Sequence, residues 1–407
     1  MKNRLLFLIL SCMFLFAACN KAGDDRPEFT DTPSEQVQFD PETDFNNRFS
    51  GLCSIWENDD MYAWIPVDGE HIYYYDKATN DYGVLCPRPD CQHPLDDSCS
   101  AYILFGRHAL SYQKGKLCYV ANGGGSPQQV CVYSMNIDGS DKAILAEIPT
   151  IEALGGTPQQ FYIHRNVLYM SISADIVEDG KPYMKQSFAA LDLSDGKLTI
   201  LYEEQVQSWI DGNSMVFMGN CAYFFTTAWL DDGSTRNKIM CWNARDDKLE
   251  VIMDAVMDGG IPTNGGLWVD NEQRVYFSTL EDPAKIFRVE NNKPVEIISF
   301  EDPDGNYDYA FLSDGLIIAL GGNDSDEKPV WVCDYSGETI YKGVLPLPFD
   351  RDLPYSIYGV NGKGNEILAE FMIESDSEDG SGSESYLAAY TITDEGLECR
   401  IIGRACK

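Results

Sequence analysis

The sequence predicts an all-β chain folded as a β-propeller, with seven four-stranded blades as the central expectation and six or eight as the neighbouring solutions. Three observations carry this. A hairpin signature recurs seven times: an apolar strand, a turn rich in Asp, Gly and Asn, then a second apolar strand. A further strand, which follows a polar turn and often ends in aromatics, precedes most of these hairpins, as in Gly115–Val120, Arg165–Met170 and Gly219–Phe224. The composition is also that of a strand-rich folded chain. It has 23 tyrosines and 34 glycines, 44% hydrophobic and 12% aromatic residues, which is too apolar for disorder.

The chain begins with a basic Met1–Arg4 and an apolar run from Leu5 to Ala18. As a helix that run spans only about 21 Å, short of the ~30 Å hydrocarbon core, so it reads as a secretory signal and not as a membrane span. Phe16-Ala17-Ala18-Cys19 resembles a bacterial lipobox, with Phe where Leu is usual. The expectation is a signal peptide over 1–18 and a lipid on Cys19 that attaches the chain to a membrane on the extracytoplasmic face of a bacterial envelope. The plainer alternative is an ordinary signal peptide with an incidental cysteine. Residues 19–47 are polar and acidic, with Pro27, Pro33 and Pro41, and read as a flexible tether. A single propeller domain is expected over 48–407, with a Cys/His-rich insertion at 86–102.

The seven hairpins align at Asp76, Asp138, Asp192, Asn243, Val289, Asp334 and Thr391. Their turn residues supply the positive φ values that tight hairpins need. Four strands in roughly 45–60 residues is the size of a propeller blade, and a β-sandwich does not naturally repeat one hairpin seven times. Glu374–Ser385, rich in Ser, Glu, Asp and Gly, reads as a solvated loop of the last blade. The formal charge of −35 argues against nucleic acid and against electrostatic attachment to anionic lipid, both of which require a basic surface.

Thirteen cysteines are present. With Cys12 in the signal and Cys19 committed to lipid, an odd number remains, so complete internal pairing is impossible. Cys86, Cys91, His93 and Cys99, spaced C-x4-C-x-H-x5-C, make the ligand set of a closed structural zinc site. Cys91 and His93, two apart, would share one side of an extended segment. The competing reading is a disulfide of Cys86 or Cys91 with Cys99, and the sequence leaves the two open. Leu85–His93, followed by Cys99-Ser100-Ala101-Tyr102, is similar to a segment of uncharacterised propeller lipoproteins of anaerobic gut bacteria, where it follows a lipobox and the first hairpin. The resemblance implies location and fold and brings no activity with it.

Three further pairs, Cys118 with Cys131, Cys221 with Cys241, and Cys399 with Cys406, are candidate disulfides set against buried free thiols. Asp302–Asp308 alternates oxygen ligands but lacks a downstream bidentate Glu, so it reads as a turn and not as a calcium loop. His71, His93, His108 and His164 form no H-E-x-x-H, and no G-x-S-x-G, P-loop or dinucleotide fingerprint occurs. No catalytic residue is assigned. The functional expectation is a lipid-anchored binding or scaffolding module for glycan, peptide or envelope protein. Loop aromatics such as Trp56, Trp64, Trp209 and Trp229 are the candidate stacking surfaces, and filling between blades is the plainer role for any one of them. The alternative is a polysaccharide-acting hydrolase or lyase built on a carboxylate pair, which would leave no mark in sequence. Nothing in the sequence sets the oligomeric state.

Overall fold

A computed structural model describes residues 39–406 apart from 50–53, 68, 105–108, 124–128, 179, 207–209, 212–213, 263–264, 303–306, 322–327, 351–352 and 374–381. The signal segment, Cys19, His108, Trp209 and most of the Glu374–Ser385 loop lie outside these. Among the described residues, seven antiparallel sheets follow one another in chain order, each a four-stranded meander. Blades 1 to 7 run from Ser54 to Val84, Ser111 to Glu147, Thr157 to Val206, Ile210 to Met257, Leu267 to Ser299, Tyr307 to Val344 and Tyr355 to Cys406. The expected seven-bladed propeller is therefore the observed architecture. In blade 4 the first strand is broken into Ile210–Asp211 and Met215–Met218, both paired with Cys221–Trp229.

Local chemistry explains why the hairpins recur. In the turn between the third and fourth strands, an Asp carboxylate accepts the backbone N–H two residues on, at Asp138, Asp192 and Asp334 (2.7–2.9 Å). Gly139, Gly196 and Gly337 then take φ of 82°, 73° and 87°, which a Cβ would oppose. Beyond this turn the third and fourth strands slip register by one residue in blades 2 to 7, for example at Val132/Tyr133, Ile239/Met240 and Leu387/Ala388. Such a bulge increases the local twist of the outer strand.

The core lies between the blades. Seven apolar clusters each fill one seam, from Trp56 with Leu117 and Tyr119 between blades 1 and 2 to Val332 with Phe371 between blades 6 and 7. The seam between blades 7 and 1 closes the ring, and among the described residues no strand is shared across it. Trp64, Tyr62 and Phe49 pack there on Leu368, Leu387 and Ile402, each large buried side chain contributing about 1.5–3 kcal/mol. The buried Glu370 accepts from Trp64 Nε1 (3.2 Å) and the Val67 N–H (2.9 Å). Gly403 lies where a Cβ would come within 2.7 Å of the Trp64 ring, so the last strand presses its backbone onto that indole.

The described chain differs from the expected tether at 39–47. These residues pack across the channel mouth at the turns between first and second strands. Asp44 makes a buried ion pair with Arg165 (2.6 Å), and Arg165 also donates to Asn220 (2.9 Å). Phe45 packs on Tyr162 and Phe217, and its N–H donates to His164 Nδ1 (3.0 Å), whose Nε2 lies 2.7 Å from the Gly219 carbonyl. A single 3-10 turn, Asn47–Phe49, then brings Arg48 between Glu57 of blade 1 (2.6 Å) and Glu366 of blade 7 (2.7 Å). A segment that looked solvated is held because its few apolar and charged groups have partners already built into five blades.

Burial alone would raise the Glu57 carboxyl, but the Arg48 guanidinium and the Lys77 ammonium outweigh it and hold it below its ordinary value of 4.5. A lowered folded-state value means that the contribution is complete above the unfolded value and is lost as pH falls through the folded one. Arg48→Ala should therefore cost about 3 kcal/mol at pH 7 in urea unfolding, and the difference from wild type should shrink once pH drops below Glu57's lowered value. A change under about 0.5 kcal/mol at pH 7 would show that Arg48 does not hold the seam.

Candidate metal centre

The insertion leaves blade 1 directly after Tyr82–Val84 and returns along the loop joining its second and third strands. The Ile72 N–H donates to the Ala101 carbonyl (3.0 Å), the Ile103 N–H to the Glu70 carbonyl (2.8 Å), and His71 and Tyr102 form an isolated bridge. Between these anchors the loop turns twice, with the Cys91 N–H on the Arg88 carbonyl (3.2 Å) and the Cys99 N–H on the Asp96 carbonyl (3.1 Å). His93 has φ of 48°. The expectation that Cys91 and His93 share one side of an extended segment is thus replaced by a left-handed bend at His93, which swings its ring back toward the sulfurs.

Cys86, Cys91, His93 and Cys99 converge, with one ligand atom from each lying within 4.8 Å of all the others. This is the one such His/Cys/Asp/Glu group among the described residues, and it could hold a metal ion. His93 Nδ1 lies 3.7 Å from Cys99 Sγ, close to the ~3.5–3.8 Å edge of a tetrahedron with metal–sulfur bonds of about 2.3 Å and a nitrogen at about 2.0–2.1 Å. All four sulfur and imidazole groups are unbridged. Cys99 is fully buried beside Ala101 and Tyr102, with Cys86 and Cys91 packed at its edge. Burial would raise the Cys86 thiol, but hydrogen bonds from the Arg88 backbone, Cys91 and Ser100 lower it to about 7. Burial pushes Cys99 up to about 11.

Positive charge stands near the sulfurs. Arg88 Nη2 donates to Cys91 Sγ (2.9 Å) and to the Ser98 carbonyl. Lys142 donates to the Tyr102 carbonyl (2.7 Å) and lies 3.8 Å from Asp97. Three thiolates with a divalent cation would leave a net charge of −1, which these groups would offset. His71 is the neighbour that sequence reasoning missed. It lies upstream of the motif and reaches it through strand pairing alone. Its ring sits edge-on to His93, with centroids 6.3 Å apart, and is hydrogen-bonded to the Pro94 backbone.

The other candidate pairs behave differently. Cys131 stands opposite Ala121 and Cys118 opposite Ser134, which puts the two cysteines on opposite faces of the sheet, so this hairpin does not bring them together. Cys399 and Cys406 lie on one strand, Gly396–Cys406, about 23 Å apart at ~3.3 Å per residue, too far for the candidate disulfide between them. Cys221 and Cys241 are diagonal neighbours, with Tyr223 opposite Cys241. A hydrogen bond between their free thiols lowers the Cys221 value and raises that of Cys241. Asp302 is ion-paired with Lys342, and residues 303–306 of the considered calcium loop lie outside the described residues. Trp56 stacks on Tyr112 and Trp64 fills the closing seam, while Trp229 is exposed. His164 is buried and neutral, lowered by burial to about 4, and serves the channel plug.

No family model and no curated protein matches the chain. Among solved structures, a puromycin hydrolase mutant has a TM-score of 0.53 at 12% identity, covering 91% of this chain and 56% of that one. The β-propeller domain of the trilobed protease from Pyrococcus furiosus gives 0.46 at 9% identity over 87% and 97% of the two chains. A putative 6-phosphogluconolactonase from Bacteroides uniformis gives 0.49 at 14% identity over 86% and 99%. The chain spans about half of the acylaminoacyl peptidase and puromycin hydrolase chains it matches (53% and 56%). At these identities the likeness is one of fold.

The lowered Cys86 value has a direct consequence. In metal-free protein, iodoacetamide should modify Cys86 before Cys99, with half-maximal rate near pH 7, because the thiolate is the nucleophile. Peptide mapping would read the order; equal rates at both positions would contradict the electrostatics of the cluster.

Proposed function

We propose that the chain is a lipid-anchored, extracytoplasmic propeller that works as a binding or scaffolding module for glycan, peptide or envelope protein, with a structural zinc ion on Cys86, Cys91, His93 and Cys99. The carrying observation is that two features lie at opposite ends of the ring. The chain enters at the turns between first and second strands, where Glu42, Thr43 and Asp44 meet Lys114, Gln113 and Arg165. A lipid on Cys19, reached through a tether of at most about 65 Å, would hold the ring by that plugged end. The Cys/His insertion and the loops joining second and third strands would then face away from the membrane. Leu95, Val177, Trp229, Leu230, Leu280 and Leu353 are exposed at this far end. Apolar side chains on convergent loops are what a recognition surface offers.

Zinc is favoured over a disulfide by the imidazole. A disulfide would engage two sulfurs and leave His93 bent into a left-handed conformation with no partner to hold it, whereas a four-ligand site employs all the converging atoms. No position is left open, so the ion would crosslink the Pro-rich loop and not act on a substrate. Among the described residues no helix is long and apolar enough to cross a membrane, and the proposed anchor is the lipid.

Two measurements test this reading. Elemental analysis should find about one zinc per chain, and His93→Ala should lower both metal content and melting temperature. Protein prepared with zinc under reducing conditions that contains no stoichiometric metal would contradict it. Cys19→Ala should abolish partition into detergent and leave the precursor uncleaved; normal maturation of that variant would remove the anchor.

A further inference from the structure

His164 meets the segment that plugs the channel mouth. It is 2% exposed, with its ring stacked on Phe217 at a centroid distance of 4.6 Å. Both ring nitrogens are engaged, in opposite senses. Nδ1 accepts the Phe45 N–H (3.0 Å) and so carries no proton. The one ring proton resides on Nε2, which donates to the Gly219 carbonyl (2.7 Å). The neutral ring is therefore a part of the plug. An imidazolium has a proton on each nitrogen, and the one on Nδ1 would meet the Phe45 N–H donor against donor.

Other contacts of the plug run through backbone carbonyls that do not titrate. Thr43 accepts from the Gln113 amide and the Arg165 N–H (both 2.8 Å), and Glu42 from the Lys114 N–H (2.9 Å). The charged groups acting on His164 are Asp44 of the plug, which favours the cation, and Arg165 of its own turn, which opposes it. These two are paired with each other (2.6 Å) and so offset one another. Asp40, Glu42 and Lys114 are exposed, and blade 4 faces the ring with Phe217 and Gly219, which carry no charge. Burial dominates and lowers His164 from 6.5 to about 4. A histidine lowered in the closed state contributes fully above its ordinary value, and that contribution is lost progressively as pH falls from 6.5 toward 4.

The proton need not enter the closed site. When the plug lifts, the ring meets water and binds a proton with ordinary affinity, and acid thus draws the population toward the open form. The lift has a built-in limit. Asn47 Oδ1 accepts the Phe217 N–H (2.9 Å), and Arg48 is held at the closing seam by Glu57 and Glu366. Glu57 stays ionised to below 4.5, so this anchor outlasts the contact at His164.

We propose that residues 40–46 form an acid-released latch: a proton on His164 expels Phe45, and the segment lifts from the channel mouth while Asn47–Phe49 stays on the ring. The latch goes beyond the binding-module reading and does not rest on it.

The test is hydrogen exchange of the full chain at pH 7 and pH 5, corrected for the intrinsic rate at each pH, with ¹⁵N-labelled histidine followed by NMR. The Phe45 amide should open about twentyfold more at pH 5 than at pH 7, with the Met61–Ile65 amides of the seam unchanged. His164→Asn, which keeps an acceptor near the Nδ1 position and cannot take a proton, should abolish the difference. The wild-type His164 signals should be those of the neutral Nε2–H ring at pH 6, a readout that stands even if the variant fails to fold. A change under about threefold at Phe45, an equal change at Met61–Ile65, or a protonated or Nδ1–H ring at pH 6 overturns the latch. The same pH dependence in a folded His164→Asn protein overturns it too, by assigning the titration to Asp44 or another group.

Discussion

Between blade 7 and blade 1 no backbone ladder among the described residues crosses the seam, and side chains hold the ring shut there. Each other junction is followed directly by the chain itself, which limits how far the neighbouring blades can part. At the closing seam the links are the apolar cluster around Trp64 and Phe49, the buried Glu370 bonded to Trp64 and Val67, and Arg48 ion-paired to a carboxylate on each side. Removing one partner from such a buried network strands the others, so the seam is sensitive to a single change.

This constraint gives both ends of the ring their character. At one end, residues 40–49 lie across the channel mouth because Arg48 and Phe49 are needed at the seam, and Asp44 and Phe45 reach Arg165, His164 and Phe217 on the way. At the other, the Cys/His insertion runs along Glu70–Ile72 of blade 1 and borders residues of blade 7 in the cavity beneath it. Blade 1 is short: its fourth strand has three residues, Tyr82–Val84, against eleven in Gly396–Cys406. A Cys/His cluster immediately after that strand could, with a metal bound, compensate for backbone pairing that the blade lacks. The Cys/His cluster and the plug both help to fasten one small blade into a large ring.

What could be read from the sequence follows from how local each feature is. The hairpins were legible because an Asp or Asn carboxyl or amide group and a positive-φ glycine act within four residues, as at Asp192–Gly196 and Asp334–Gly337. The Cys86–Cys99 cluster was legible because its ligands fall within one loop, although the left-handed bend at His93 had no signature. The register slip repeated in six blades was not legible, since Val132/Tyr133, Phe188/Ala189 and Ile286/Phe287 share no residue pattern. The plug was hidden by distance, because Asp44 looks like any tether acid until Arg165 is brought to it across 121 positions. His71 was hidden in the same way. The blade number stayed open between six and eight because hairpins alone do not say whether a strand is shared at closure.

The central claim is that blade 1 is fastened by side chains and by the Cys/His cluster, and not by a shared strand. Native-state hydrogen exchange resolved by blade tests it most directly, with the zinc-loaded protein compared with chelator-treated protein. The account requires the amides of Met61–Ile65 and Tyr73–Asp76 to open at lower free energy than those of Cys221–Trp229 in blade 4, and chelation to lower their protection selectively. Equal protection of blades 1 and 4, unchanged by chelation, would contradict it.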